Sequence, residues 1–149
     1  MIILAAAALA ALSPLSFFTG PTHGVGTIKI LFKGSRPIHV ISHGRPDGHG
    51  GIYLDQNIAQ GSEPSQARHW DLRPTSATTL SGTLTPDASG PVTGSLSGRK
   101  LTLSYPMKGG MMAAQILVLQ PGGRLLLNHM IVKKFGLTVA TIEERISKD

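Results

Sequence analysis

Ile116-Leu117-Val118-Leu119-Gln120-Pro121-Gly122-Gly123-Arg124-Leu125-Leu126-Leu127 is the stretch whose reading decides the fold. Two apolar runs flank Gln120-Pro121-Gly122-Gly123, which has Pro at its second position and Gly at its third. That is the chemistry of a type II turn: Pro presets φ near −65°, and Gly accepts the positive φ that follows. Each run is too short for a helix and is bounded by turn residues, so the pair reads as an antiparallel hairpin. Because each run is continuously apolar, the expectation is strands covered on both faces, or on one face with a cavity on the other.

Working outward, the dominant period remains two. Leu101-Thr102-Leu103-Ser104-Tyr105 alternates apolar and polar, and Leu80-Ser81-Gly82-Thr83-Leu84-Thr85 half alternates. Thr27-Ile28-Lys29-Ile30-Leu31-Phe32-Lys33 and Ile38-His39-Val40-Ile41 also read as strands. Ser97-Gly98-Arg99-Lys100 predicts a turn, Pro86-Asp87-Ala88-Ser89-Gly90-Pro91 a longer loop, and Arg45-Pro46-Asp47-Gly48-His49-Gly50-Gly51 a flexible connection. Turn signals about every ten residues give the rhythm of a sandwich or barrel of about eight to ten strands. Consecutive hairpins favour an up-and-down meander, and closure removes exposed strand edges. The predicted class is therefore all-β: an antiparallel meander closing into a β-barrel. Residues 138–146 stay open between strand and helix, since Val139, Ile142 and Ile146 also sit at helical spacing.

Composition narrows the classes. A chain of 149 residues suits one domain, and its 18 Gly and 10 Pro are scattered in the manner of many short elements. The formal charge is +6, yet only 15% of residues are charged. The only adjacent basic pairs are Arg99-Lys100 and Lys133-Lys134. With seven aromatic residues, stacking platforms for bases are hard to build, so nucleic acid is not an expected partner. No charged side chain precedes Lys29, and residues 1–12 form an alanine-rich apolar run. The run is too short to span a bilayer and suits the apolar region of a secretory signal, with Ala8 and Ala10 flanking Leu9 at a small-x-small spacing. The expected division is a leader or N-terminal anchor over residues 1–16 and one barrel over residues 17–149, placing the protein in the periplasm or cell envelope. The absence of Cys excludes lipid anchoring through cysteine and a disulfide framework.

Several stretches resemble one family. Leu119-Gln120-Pro121-Gly122-Gly123, Leu127-Asn128-His129-Met130 and Lys134-Phe135-Gly136 look like the C-terminal half of the exported bacterial family DUF3833, whose function is unknown. Phe17-Phe18-Thr19-Gly20 resembles its opening after the export signal, Arg68-His69-Trp70-Asp71-Leu72 its Arg-x-Trp-x-Leu, and residues 98–105 its Gly-Asn-x-Leu-x-Trp-x-Tyr strand. The resemblance implies a lipocalin-like barrel. This chain departs from the pattern in having Arg99 for Asn, Leu103 for Trp, and Gln56 and Gln115 where the family tends to an acid.

No constellation carries an evident chemistry. His39, His43 and His49 with Asp47 lie close in sequence but match no zinc spacing, so no metal is expected. Gly94-Ser95-Leu96-Ser97-Gly98 is a strand and turn, not a nucleophile elbow. Glu143, Glu144 and Asp149 sit near the terminus, and no paired carboxylates stand out. Glycines 24, 26 and 48, 50 and 51 read as turn residues, not phosphate cradles. The polar residues expected to face a ligand are Tyr105, Gln115, Asn128 and Lys134, with Trp70 and Met112 beside them. Arg68 and Arg73 are expected to stack on Trp70, and Lys134-Phe135-Gly136 reads as a turn in which Gly136 takes the backbone angle and Phe135 plugs the core. Met107, Met111 and Met112 suggest an adaptable lip at a barrel mouth, while Gly94, Ala113 and Ala114 are the small residues that would leave room inside. The leading function is an exported barrel binding a small apolar or lipid-like ligand, with peripheral membrane contact and no cofactor. The alternatives are an envelope interaction protein with a filled core and an enzyme of unknown type.

Overall fold

The computed structural model describes residues 13–149. The expected leader lies, over residues 1–12, outside the described residues. Ten strands follow in order: β1 (Gly20–Ile30), β2 (Gly34–Pro46), β3 (Ile52–Gln60), β4 (Gln66–Pro74), β5 (Thr79–Thr85), β6 (Val92–Ser97), β7 (Lys100–Met107), β8 (Met111–Leu119), β9 (Leu125–Lys134) and β10 (Leu137–Lys148). Each pairs antiparallel with the next, and β10 pairs with β1 to close the barrel. The period-two patterns are the cause: a strand with one apolar face needs a closed sheet to bury it without exposing edges.

The deciding hairpin forms as read. Gly122 has φ +92°, the Gly123 N–H donates to the Gln120 carbonyl at 3.1 Å, and Gln120 N–H to the Leu125 carbonyl at 2.8 Å. The flanking runs are not covered on both faces, however. Leu117, Leu119 and Leu126 point into the core, while Ile116 and Leu127 are exposed on the outer wall. The runs look continuous because the outer positions are also apolar, not because the outside is buried.

Three further expectations change. The strand read over residues 27–33 ends at Ile30, and Leu31-Phe32-Lys33 makes the turn, with Phe32 at φ +64°. Residues 138–146 belong to a strand, whose pairing with β9 shifts register between Thr138 and Ala140. That irregularity displaces Val139 from strict alternation and produces the helix-like spacing. Ala114 points outward, so it leaves no interior space. Gly94 does face inward, but the Thr102 carbonyl and the Leu103 side chain already fill the place a Cβ would take.

The two barrel ends differ. A short helix, α1 (Pro14–Phe17), closes one. Ser13 caps it by accepting the Leu15 N–H at 3.2 Å, and Pro14 supplies the preset φ of a first helical position. Leu15, Phe17 and Phe18 are buried, with the two phenyl rings edge to face at 5.4 Å. Lys148 Nζ donates to the Phe17 and Thr19 carbonyls at 2.6 and 2.9 Å, tying α1 to the C-terminal strand. Gly44 is required here, because a Cβ would overlap the Phe18 carbonyl. At the other end, the mouth, the inward residues Ile28, Ile58 and Gln60 are only half-buried. One sector of the interior is packed solid by Leu80, Leu84 and Val92.

Candidate functional site

Opposite that packed sector the interior leaves a cavity of about 90 Å³, lined by apolar residues including Leu54, Leu103, Leu117 and Ile146, and by Gln56, Arg68, Trp70, Gln115, Asn128 and Glu144. The inward faces of β7 to β10 each contribute one polar residue to a chain of hydrogen bonds. Tyr105 OH donates to Gln115 Oε1 at 3.2 Å, and Gln115 Nε2 approaches Asn128 Oδ1 at 3.5 Å. Asn128 Nδ2 donates to Glu144 Oε1 at 2.9 Å. On the far side Trp70 Nε1 donates to Gln56 Oε1 at 2.7 Å, and Gln56 Nε2 to Ser42 Oγ at 3.1 Å. The two chains meet where Trp70 stands edge-on to Tyr105, centroids 5.6 Å apart. A polar belt thus runs from β2 to β10 through an otherwise apolar core.

Four of the six residues read from the sequence, Tyr105, Trp70, Gln115 and Asn128, are brought together. Lys134 and Met112 are not among them. Lys134 is exposed beside the turn to β10, its ammonium 5.8 Å from the Phe135 ring, and Met112 points outward from β8. Phe135 is 92% exposed and plugs nothing: with φ +51° it forms the tip of a two-residue turn with Gly136 and projects away from the barrel. The stacking of arginines on Trp70 is also absent. Arg73 pairs with Asp71 at 2.9 Å on the outer wall, and Arg68 Nε stands 2.5 Å from Asp87 Oδ2. The indole ring instead packs on Tyr105 because it faces the core. Met107 and Met111 are half-buried and pack on the core at the mouth.

The residues missed are Ser42, Gln56, Arg68 and, above all, Glu144. Its side chain is buried, and burial pushes its carboxyl pKa up, against the opposing effects of the Asn128 amide and the Arg68 charge. Gly24 on β1 makes the room, since a Cβ there would overlap the Glu144 carboxyl. Burial likewise holds the proton on Tyr105, far above the usual phenol range, so the phenol acts as a donor. The signal was available: Ile142 and Ile146 lie two residues either side of Glu144 and place it on their inward face. Its nearness to the terminus hid it. The lining thus combines an apolar wall with the side-chain amides of Gln56, Gln60, Gln115 and Asn128, the Arg68 guanidinium, the Trp70 indole and the Glu144 carboxyl, and it includes no histidine; the Tyr105 phenol stands behind it, bonded to Gln115.

The histidines lie outside. His39 and His43 share the outer face of β2, and His49 lies in the following loop, where its N–H and that of Gly51 donate to Asp47 and hold that carboxylate below the usual range. Asp55 is also held low, chiefly by His69 at 2.6 Å. Among the described residues no group of three His, Cys, Asp or Glu is placed to hold a metal ion.

The fold and its interior define a closed, lipocalin-like antiparallel barrel with a polar belt. The chain belongs to the family described as "Protein of unknown function (DUF3833)", which it matches over residues 5–148. None of the curated proteins matches it. Among solved structures it is similar to the S-type phycobiliprotein lyase CPES from Guillardia theta, with TM-score 0.70 and 7% identity over 91% of this chain and 90% of that one. It is also similar to a protein of unknown function of the DUF3598 family from Nostoc punctiforme, with TM-score 0.63 and 11% identity over 91% of this chain and 49% of that one. At these identities the likeness is one of fold.

Proposed function

We propose that the protein is exported and binds a small amphipathic, lipid-like ligand inside its barrel, with the ligand's polar head on the Gln115–Asn128–Glu144 chain. The observation that carries this reading is the chain itself. A barrel of this size can be filled with apolar side chains, and replacing buried polar groups by apolar ones of similar shape is often neutral or stabilising. Here one sector is filled in that way, while the other keeps four side-chain amides, the Arg68 guanidinium and the Glu144 carboxyl around a cavity, with the Tyr105 phenol bonded to Gln115 behind them. The 90 Å³ cavity suits a head group. The apolar part of the ligand would run past Ile142, Ile28 and Ile58 toward the mouth, where burial is incomplete. Likeness to a phycobiliprotein lyase supports the barrel as a scaffold for such a site without naming the ligand. Export rests on the apolar run at residues 1–12.

The test is native mass spectrometry of protein taken from a bacterial envelope without detergent, followed by organic extraction. A stoichiometric added mass that extraction releases supports the proposal. A clean apo mass, with no uptake of added fatty acid or phospholipid, overturns it. The limited cavity would then speak for a filled-core interaction protein.

A further inference from the structure

We propose that one sector of the mouth rim docks on the surface of an anionic lipid bilayer. The turns β7–β8, β9–β10 and β1–β2 are consecutive around the rim, because β8 pairs with β9 and β10 with β1. Their tips are unlike those of the α1 end, which read Gly48-His49-Gly50, Thr75-Ser76-Ala77, Gly98-Arg99 and Pro121-Gly122-Gly123. At the mouth, Phe32 is 97% exposed and Phe135 92%, with Leu137 at 60%, Met112 at 49% and Leu31 at 41%. Among the described residues Phe32 and Phe135 are also the non-glycine residues with positive φ, a conformation that disfavours a bulky side chain. Large apolar groups held in full solvent at strained positions mark a contact surface.

Charge complementarity identifies the occupant. Lys29, Lys33, Lys108, Lys133 and Lys134 surround these side chains, and residues 28–35, 106–114 and 131–141 contain no Asp or Glu. The acids of the mouth, Glu63 and Asp87, lie in the other two turns and are engaged by Arg36 and Arg68. An acid-free ring of lysines around protruding aromatics matches an anionic membrane interface, where aromatic and aliphatic tips enter the headgroup layer and ammonium groups meet lipid phosphates. The inference stands on the rim alone; if the cavity takes a ligand as proposed above, docking would also set the ligand's entrance against the membrane.

The experiment is flotation of the full chain with vesicles of phosphatidylcholine alone or with phosphatidylglycerol added, at low and high salt. Wild type should partition more than tenfold better onto the anionic vesicles, and salt should reverse this. Phe32→Asn/Phe135→Asn should reduce partitioning at least tenfold, as should Lys33→Gln/Lys133→Gln/Lys134→Gln, with circular dichroism unchanged. Asn tolerates positive φ, and all variants retain residues 1–12, so binding through that apolar run would survive in them. Equal binding of wild type and the Asn variant, equal binding to neutral and anionic vesicles, or self-association in place of vesicle binding would each overturn the proposal. None of these outcomes bears on the native mass, so the ligand reading stands or falls separately.

Discussion

Glu144 and Asn128 are coupled by burial, and their roles separate in a mutational cycle. Asn128→Leu removes the amide that donates to Glu144 and leaves a buried carboxyl without that donor. The expected cost is about 2–3 kcal/mol in urea unfolding. Adding Glu144→Leu removes the orphaned group, so the double variant should be more stable than Asn128→Leu alone. Glu144 also gives stability a pH dependence. Its folded pKa is raised, so the folded state holds its proton more tightly than the unfolded state does. Stability from this group is full below the ordinary glutamate pKa and declines as pH rises through the raised value. Glu144→Gln should therefore exceed wild type in unfolding free energy at pH 8, with the gap closing near pH 4. The ion pairs His23–Asp149, His69–Asp55 and His129–Glu143 are common to both proteins and cancel in that comparison.

Strands and hairpins were legible where period two and turn chemistry agreed, as in Ile116–Leu127. They were misread where a turn is built from apolar residues. Leu31-Phe32-Lys33 has strand composition because its tip is apolar; Lys134-Phe135-Gly136 reads as the turn it is, but its apolar Phe135 reads as core. Propensity reports what a side chain prefers; it does not report a strained position kept for a contact outside the molecule. This predicts that Phe32→Asn and Phe135→Asn each raise thermal stability, by about 1 kcal/mol, as the strain at positive φ is relieved. The opposite holds at Gly44. Its strand interior would tolerate a side chain were it not for the Phe18 carbonyl packed against it. Gly44→Ala should displace α1 and cost about 1–3 kcal/mol, visible as a lower melting temperature and loss of hydrogen-exchange protection at the Phe17 and Thr19 amides.

At the scale of the whole molecule, the barrel is polarised along its axis. α1 and its apolar residues seal one end, and the mouth carries exposed phenylalanines, five acid-free lysines and the half-buried rim of the interior. The barrel was legible in alternation and turn rhythm; of the belt, Tyr105 ends an alternating run, Asn128 follows three leucines, and Trp70 and Gln115 stand at positions singled out by the family resemblance. The sequence did not show that Tyr105, Gln115, Asn128 and Glu144 form one chain, because that depends on the registers of three successive strand pairs. Whether the belt serves folding or binding is the question that the Asn128→Leu/Glu144→Leu barrel answers. Both substitutions keep an apolar side chain of similar size on an inward position, so the closed fold should persist with its melting temperature near that of wild type. If the belt holds a ligand's polar head, the extractable mass seen in native spectra should fall to the apo value in this variant while the fold remains. Retention of that mass at wild-type occupancy would show that the belt only ties strands together and that the ligand lies elsewhere.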